Sequence, residues 1–383
     1  MSESSRRQFL KITAVGAGAT ALSGAGIPLT ASPAGAVTSG ITSFTHPGVL
    51  HNLTDLQRIR TNVKNGVEPW LSGWNAFKSD AYSQSTYAKA GPYTTVSRGT
   101  EGYTGWDALW MDANAAYQNA IMWYVTLDTT HASKALEIIK AWTNTLTSIK
   151  GSEAVLASSI AGAKLAAACE IMRYTKPSGA WTSTEVNTTV AMFKNIFVPL
   201  ISNYWEATWG VMCIRGMCQM GVFCDDISIF DSAYNAFYTH ACCSLGKMIL
   251  PSGQSLDTGR DQQHAQLALG AFAEVCQTAW IQGRDLYAAS DHRLLKAFEY
   301  TASYNLGNSV PYTTQTSCSV TYTSNSSLYR GQLRPIYEMA WNHYVKRADA
   351  AAPYSYEAIL KIRPEGAAFQ ADHPGFGTLL FTL

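Results

Sequence analysis

Between residues 106 and 305 the chain is a succession of helical-period segments joined by short links, and no other feature limits its fold so strongly. Apolar residues recur at helical spacing over roughly 112–126, 131–148, 154–173, 183–205, 210–223, 228–246, 261–282 and 291–305. The links carry Gly, Pro, Asp, Ser or Thr, so each helix turns back along the one before it. Upstream, the spacing predicts a helix over 54–65 capped by Asn52 or Thr54, then an aromatic helix containing Trp70, Trp74 and Phe77. Alternation suited to strands appears only in the Thr/Ser/Tyr-rich stretch 311–327 and at 376–383. Successive amphipathic hairpins either stack as a solenoid or close into an α/α toroid. No repeat of fixed period is present, which argues against the solenoid. The expected fold is all-α, an incomplete α/α toroid with minor β near the C-terminal end. Its concave end, where loops converge, suits an extended polymer ligand.

With 383 residues, 47% hydrophobic and 14% charged, the chain can bury a large core. A formal net charge of +1, with no run of Lys or Arg, supplies no field for nucleic acid or an anionic membrane. Residues 1–36 read as a targeting segment. Arg6 and Arg7 precede Phe9 and Leu10, a weakly apolar Gly/Ala-rich run follows, and Ala34-Gly35-Ala36 fits a cleavage site. This resembles a twin-arginine export signal, which leaves 37–383 as a single domain, exported and free of the membrane once the signal is removed. Eight cysteines fall mostly in apolar helical stretches without paired CxxC spacing, so buried thiols are expected for most of them and no metal site is called for. One or two disulfides can form after export, with connectivity left open.

Two polar constellations interrupt the apolar pattern. The first lies at the mouth of the helix over 261–282, where Asp257, Arg260, Asp261, Gln262, Gln263, His264 and Gln266 put an acid, a cation, an imidazole and several amides within ten residues. If the helix starts by Arg260, then Arg260, Gln263 and His264 share a face. A helix capped by Asp257 and Asp261, with Arg260 paired and His264 in the core, accounts for the same residues. The second runs from Tyr329 to Tyr344, with Arg330, Arg334 and Tyr337 at i, i+4 and i+7, and an ion-paired helix start with a core tyrosine explains it equally. The Gly/Ser/Thr/Tyr-rich stretch 83–105, containing Arg98, reads as a long loop, and long loops in compact domains are often functional.

Gly259-Arg260-Asp261-Gln262-Gln263-His264, together with Ala279-Trp280-Ile281-Gln282-Gly283-Arg284-Asp285-Leu286-Tyr287, resembles the alginate lyase-like superfamily. The similarity extends through His46-Pro47-Gly48, Asp112-Ala113, 221–226, 330–344 and 375–382, and looks closest to polysaccharide lyase family thirty-eight. That family acts on alginate or glucuronan with an α/α-toroid fold. The resemblance implies β-elimination at uronic acid residues of an anionic polysaccharide, without a cofactor. Elimination needs the carboxylate beside C5 neutralised, a base for the C5 proton and an acid for the leaving oxygen. His264 and Tyr337 are the implied acid/base pair, with Tyr329 and Tyr322 as substitutes for Tyr337, and with Arg330 and Arg260 as charge neutralisers. Asn203, Gln263, Arg334, Tyr329, Arg98 and Trp74 make up the implied substrate-binding set. One departure stands out: relatives carry an Asn-Trp pair where this chain has Ala207-Thr208-Trp209.

Two other functions fit the residues. A glycoside hydrolase would need two carboxylates across the scissile bond, for which Asp112, Asp257 and Asp261 are available. A non-catalytic carbohydrate-binding protein would use the 11 Trp and 20 Tyr as grips. Oligomeric state and endo or exo action are not legible in the sequence.

Overall fold

The computed structural model describes residues 36–383, and Val37–Leu383 forms one compact unit. The export segment at 1–35 lies outside the described residues. The longer helices are α1 (Leu53–Lys64), α2 (Trp70–Lys78), α3 (Trp106–Thr126), α4 (Thr129–Thr145), α5 (Ala154–Thr175), α6 (Ser183–Met192), α7 (Ala207–Phe223), α8 (Ile227–Thr239), α9 (Gln262–Ile281) and α10 (Ala289–Asn305). Three more follow, the short α11 (Tyr337–Trp341), the ten-residue α12 (Pro353–Ile362) and the short α13 (Gly377–Leu380). α3, α5, α7, α9 and α11 pack successively side by side, with α4, α8 and α10 packed against them. This is the α/α toroid: an inner ring of parallel helices, each returned to the start by an outer one. α13 packs on α1, α2 and α11, so the C-terminus joins the last inner helix to the first elements of the chain.

Inner and outer helices differ in burial, and the difference follows from position. An outer helix has one wet face, as in α4, where the buried residues His131, Ala132, Ala135, Leu136, Ile138, Ile139 and Trp142 form a stripe. An inner helix is covered all round. Every residue of α5 from Ala154 to Met172 is buried, mostly Ala, Ser, Gly and other small side chains. α5 is long and apolar enough to cross a membrane, yet here its neighbours bury it. Small residues allow the close spacing: a Cβ on Gly162 would sit 2.2 Å from Met220 Cε and 2.7 Å from Phe197.

Several boundaries differ from the pattern-based expectation. The segment expected as one helix over 183–205 breaks after α6 into a π-helical turn at Phe193–Phe197 and the single turn Val198–Ile201, with Pro199 in that last turn. Asn52, not Thr54, caps α1, in a capping box with Asp55. The Thr/Ser/Tyr-rich stretch does form a hairpin, β3 (Gln315–Ser317) with β4 (Val320–Tyr322), while the expected C-terminal strand at 376–383 is instead the turn of helix α13. A parallel pair, β1 (Thr95–Ser97) with β2 (Ser148–Lys150), was not foreseen because three-residue strands carry no periodicity. One disulfide, Cys242–Cys318, ties the hairpin turn to the segment after α8, and Cys169, Cys213, Cys218, Cys224, Cys243 and Cys276 are buried free thiols.

Candidate active site

Because the inner helices run parallel, their N-termini gather at one end of the toroid. Two residues stand out there. In α9 every residue is buried except His264 and, at the far end, Trp280, while in α7 every residue is buried except Trp209. His264 is held rather than loose: Asp261 is the N-cap of α9, accepting the His264 backbone N–H at 2.8 Å, and its second carboxylate oxygen lies 2.6 Å from His264 Nδ1. An ionised carboxylate only accepts, so Nδ1 carries the proton and Nε2 is the basic nitrogen of the ring. Burial pushes the Asp261 carboxyl upward, but the hydrogen bond and charge of His264, then Arg260, hold it below the ordinary range. Arg260 Nε lies 3.9 Å from the same carboxylate. Of the capping alternative, Asp261 is the cap and Arg260 pairs with it, but Asp257 is not the cap and His264 is not in the core.

The β3–β4 hairpin covers this helix mouth. A Cβ on Gly259 would lie 2.3 Å from Tyr322 Cβ and 2.5 Å from Tyr312 Oη, so the absence of a side chain there lets Tyr322 sit against the Arg260 turn. Tyr322 is half-buried. Burial, then Asp257, push its phenol up to about 12, with Arg260 pulling the other way and Asp261 adding to the rise. Thr208, at the start of α7, donates to Asp257 and is buried, so it takes part in joining α7 to the α9 mouth instead of presenting a group to solvent. On the other side, Arg98 lies over the Trp106 ring at 4.7 Å with Nε 3.4 Å from Glu153 Oε2, and its Nε and Nη1 have no hydrogen-bond partner among the described residues. Asp372, from the C-terminal loop, is held down to about 2 against its burial by Arg334, with His373 and Arg98 contributing. Arg98 thus lies within electrostatic reach of Asp372, while Arg260 stands beside the Asp261 carboxylate.

Other expected site residues lie elsewhere. Tyr337 is completely buried, its hydroxyl donates to Gln266 Oε1 at 3.1 Å, and its ring meets Phe298 edge-on, so it is a core residue. Arg334 is also buried, donating to Gln263 Oε1 at 2.7 Å and to Asp372 Oδ2 at 2.8 Å, and Gln263 in turn donates to the Gln332 carbonyl. Both hold the site from beneath and do not face a ligand. Arg330 is exposed, but its guanidinium is bound to the Tyr304 and Asn308 carbonyls, each at 2.8 Å, and lies over the Tyr304 ring. The assumed face shared by Arg330, Arg334 and Tyr337 does not exist, because α11 begins only at Tyr337 and Tyr329 is in a left-handed turn. Trp74 is 9% exposed and stacked on Phe77, a packing residue. Asn203 is exposed in the turn before Trp205. Asp112, a hydrolase candidate, accepts from Trp142 Nε1, Tyr87 Oη and the Ala90 and Gly91 backbones, which leaves it a structural anchor. Among the described residues no group of three His, Cys, Asp or Glu side chains is arranged to hold a metal ion. Asp372 and the loop around it were missed, since a lone Asp in a Gly/Ala-rich stretch gives no spacing signal.

Comparison with known proteins agrees with this architecture. A crystal structure of an alginate lyase from Bacteroides ovatus is similar with a TM-score of 0.62 at 13% identity, over 88% of this chain and 100% of that one. Alginate lyase A1-III from Sphingomonas species A1 superposes with a TM-score of 0.63 at 14% identity, over 89% and 98%. A tyrosine-to-phenylalanine variant of A1-III, complexed with tetrasaccharide, gives a TM-score of 0.63 at 15% identity, over 86% and 94%. At these identities the likeness speaks for the fold. No curated protein sequence matches the chain. The profile of the twin-arginine translocation signal matches residues 3–23, so the protein is exported by that pathway. The sequence model of the alginate lyase family matches residues 72–311, a span that contains Arg98, Arg260 and His264, and the chain belongs to that family of polysaccharide lyases.

Proposed function

We propose that residues 37–383 act as one lyase domain that cleaves a uronic-acid polymer, alginate rich in mannuronate or glucuronan, by β-elimination. The observation that carries this reading is the Asp261–His264 pair at 2.6 Å, set in the one solvent-open position of the first turns of α9. His264 Nε2 removes the C5 proton, and Asp261 steadies the imidazolium that forms. Arg260 neutralises the uronate carboxylate as charge spreads onto it from C5, where the effect on rate is largest. Tyr322, its phenol kept protonated at neutral pH, gives its proton to the leaving glycosidic oxygen. The C4–O bond breaks, a C4–C5 double bond forms, and solvent resets both side chains. Arg98 is given no ligand-binding role, since its Nε lies 3.4 Å from Glu153 Oε2 and its Nε and Nη1 are buried. The tetrasaccharide complexes of A1-III are consistent with a ligand several sugars long.

The test is incubation with alginate, polymannuronate, polyguluronate and glucuronan while following ultraviolet absorbance of unsaturated sugar ends. New absorbance on at least one polymer is the expected result. Chain shortening without it identifies a hydrolase, and binding without shortening a carbohydrate-binding protein.

A further inference from the structure

We infer that Trp205 and Trp209 form an aromatic subsite that stacks on a pyranose ring of the polymer outside the bond that is cut. This rests on the polysaccharide reading above. Trp205 is 46% exposed, and its ring centroid lies 5.3 Å from that of Trp209, the one residue of α7 that is not buried. Leaving Trp205 open to water, beside a Trp209 that packs partly on the core, sacrifices burial that the Trp205 ring could have gained. The pair lies at the N-terminal end of α7, the same end of the toroid as His264, and Thr208 between them binds Asp257 beside the Arg260 turn.

The platform is also fixed in place. Tyr204 and Ala207, on either side of Trp205 and Glu206, have φ of +48° and +51°, a left-handed conformation costly for residues with a Cβ. Ala207 N–H donates to the Cys242 carbonyl at 3.2 Å, and Glu206 accepts from the Ser319 backbone N–H at 3.0 Å. Cys242 is itself disulfide-bonded to Cys318. The segment bearing Trp205 is therefore clamped to the hairpin that carries Tyr322. A sugar ring offers an apolar C–H face to an indole, and a rigid platform binds it with little ordering cost. Carboxylate recognition stays with Arg260, so this subsite adds affinity for polymer length.

The experiment measures equilibrium binding of size-defined oligouronates to the full mature protein bearing His264→Ala, by quenching of tryptophan fluorescence and by calorimetry. Trp205→Ala in that background is expected to weaken binding of long oligomers by about three- to tenfold, with a smaller factor as the oligomer shortens, and Trp205→Phe to restore most of the loss. Equal weakening at every length, no weakening, or failure of any oligouronate to bind overturns the subsite. Failure of the lyase reading is separate, seen as absence of unsaturated ends from the unmodified enzyme.

Discussion

At the residue scale the sharpest contrast is between two tyrosines. Tyr322→Phe removes the proposed proton donor and is expected to lower kcat by about a hundredfold or more, whereas Tyr337→Phe removes only a buried hydrogen bond to Gln266 and is expected to cost about 1 kcal/mol of stability with turnover kept. Steady-state kinetics and denaturant unfolding of the two variants check this, and an inactive Tyr337→Phe that is fully folded would return the role to Tyr337. Gly259→Ala is expected to mimic the first variant, because its methyl would displace the Tyr322 side chain. Arg260→Ala is expected to reduce kcat, and Arg330→Ala to leave it unchanged, since the Arg330 guanidinium serves two carbonyls at 2.8 Å. The sequence made the first constellation legible through density of polar types, and misled at the second. Periodicity tells which residues would share a face if a helix were there, but Arg330 lies in a turn. In the first constellation too, Arg260 precedes the helix, and it is Asp261, as N-cap, that brings it to His264.

At the element scale, the inner ring was visible as helices but not as an inner ring, because full burial erases the polar face that amphipathic reading depends on. The C-terminal strap was the least legible element, since its placement depends on long-range partners. Lys164 donates to the Gln370 and Ala371 carbonyls, Arg215 to the Asp372 carbonyl at 2.6 Å, and Glu274 pairs with Arg215 and His373. Earlier in the same segment Glu365 is buried, accepts the Thr378 backbone N–H at 2.6 Å and lies near Glu338, which pairs with Arg363. Burial, then the Glu338 charge, raise the Glu365 carboxyl from 4.5 to about 8. With the folded value above the unfolded one, the stability this group contributes is complete below about pH 4.5 and is lost as pH rises through about 8. Glu365→Gln keeps an acceptor for Thr378 without a charge. Its melting temperature is expected to match the parent near pH 5 and exceed it by several degrees near pH 9, as read by thermal unfolding across that range. A constant difference at all pH values would mean Glu365 is ionised in the folded protein.

At the scale of the whole molecule, export and covalent structure impose an order of events. A twin-arginine signal at 3–23 delivers a protein folded in the reducing cytoplasm, so the core must form without a disulfide. The cysteines are arranged accordingly: six are buried thiols within the packed fold, while the Cys242–Cys318 pair sits at the surface, with Cys318 exposed at the hairpin turn. Oxidation after export then fixes the hairpin that holds Tyr322 at the α9 mouth, and with it the segment of Trp205. Protein lacking residues 1–36, purified fully reduced, is therefore expected to show the same helical circular dichroism as the oxidised form, with stability lower by about 2–4 kcal/mol and with kcat reduced more than KM. Two thiols are expected to react with an aromatic disulfide reagent in the reduced folded protein and none in the oxidised one, the other six reacting only on unfolding. Reduced protein with full activity would mean that the hairpin is held by its hydrogen bonds alone, through Glu206–Ser319 and Ser317 to the Cys242 carbonyl. Reduced protein without helical structure would place the disulfide in the folding of the core and conflict with export in the folded state.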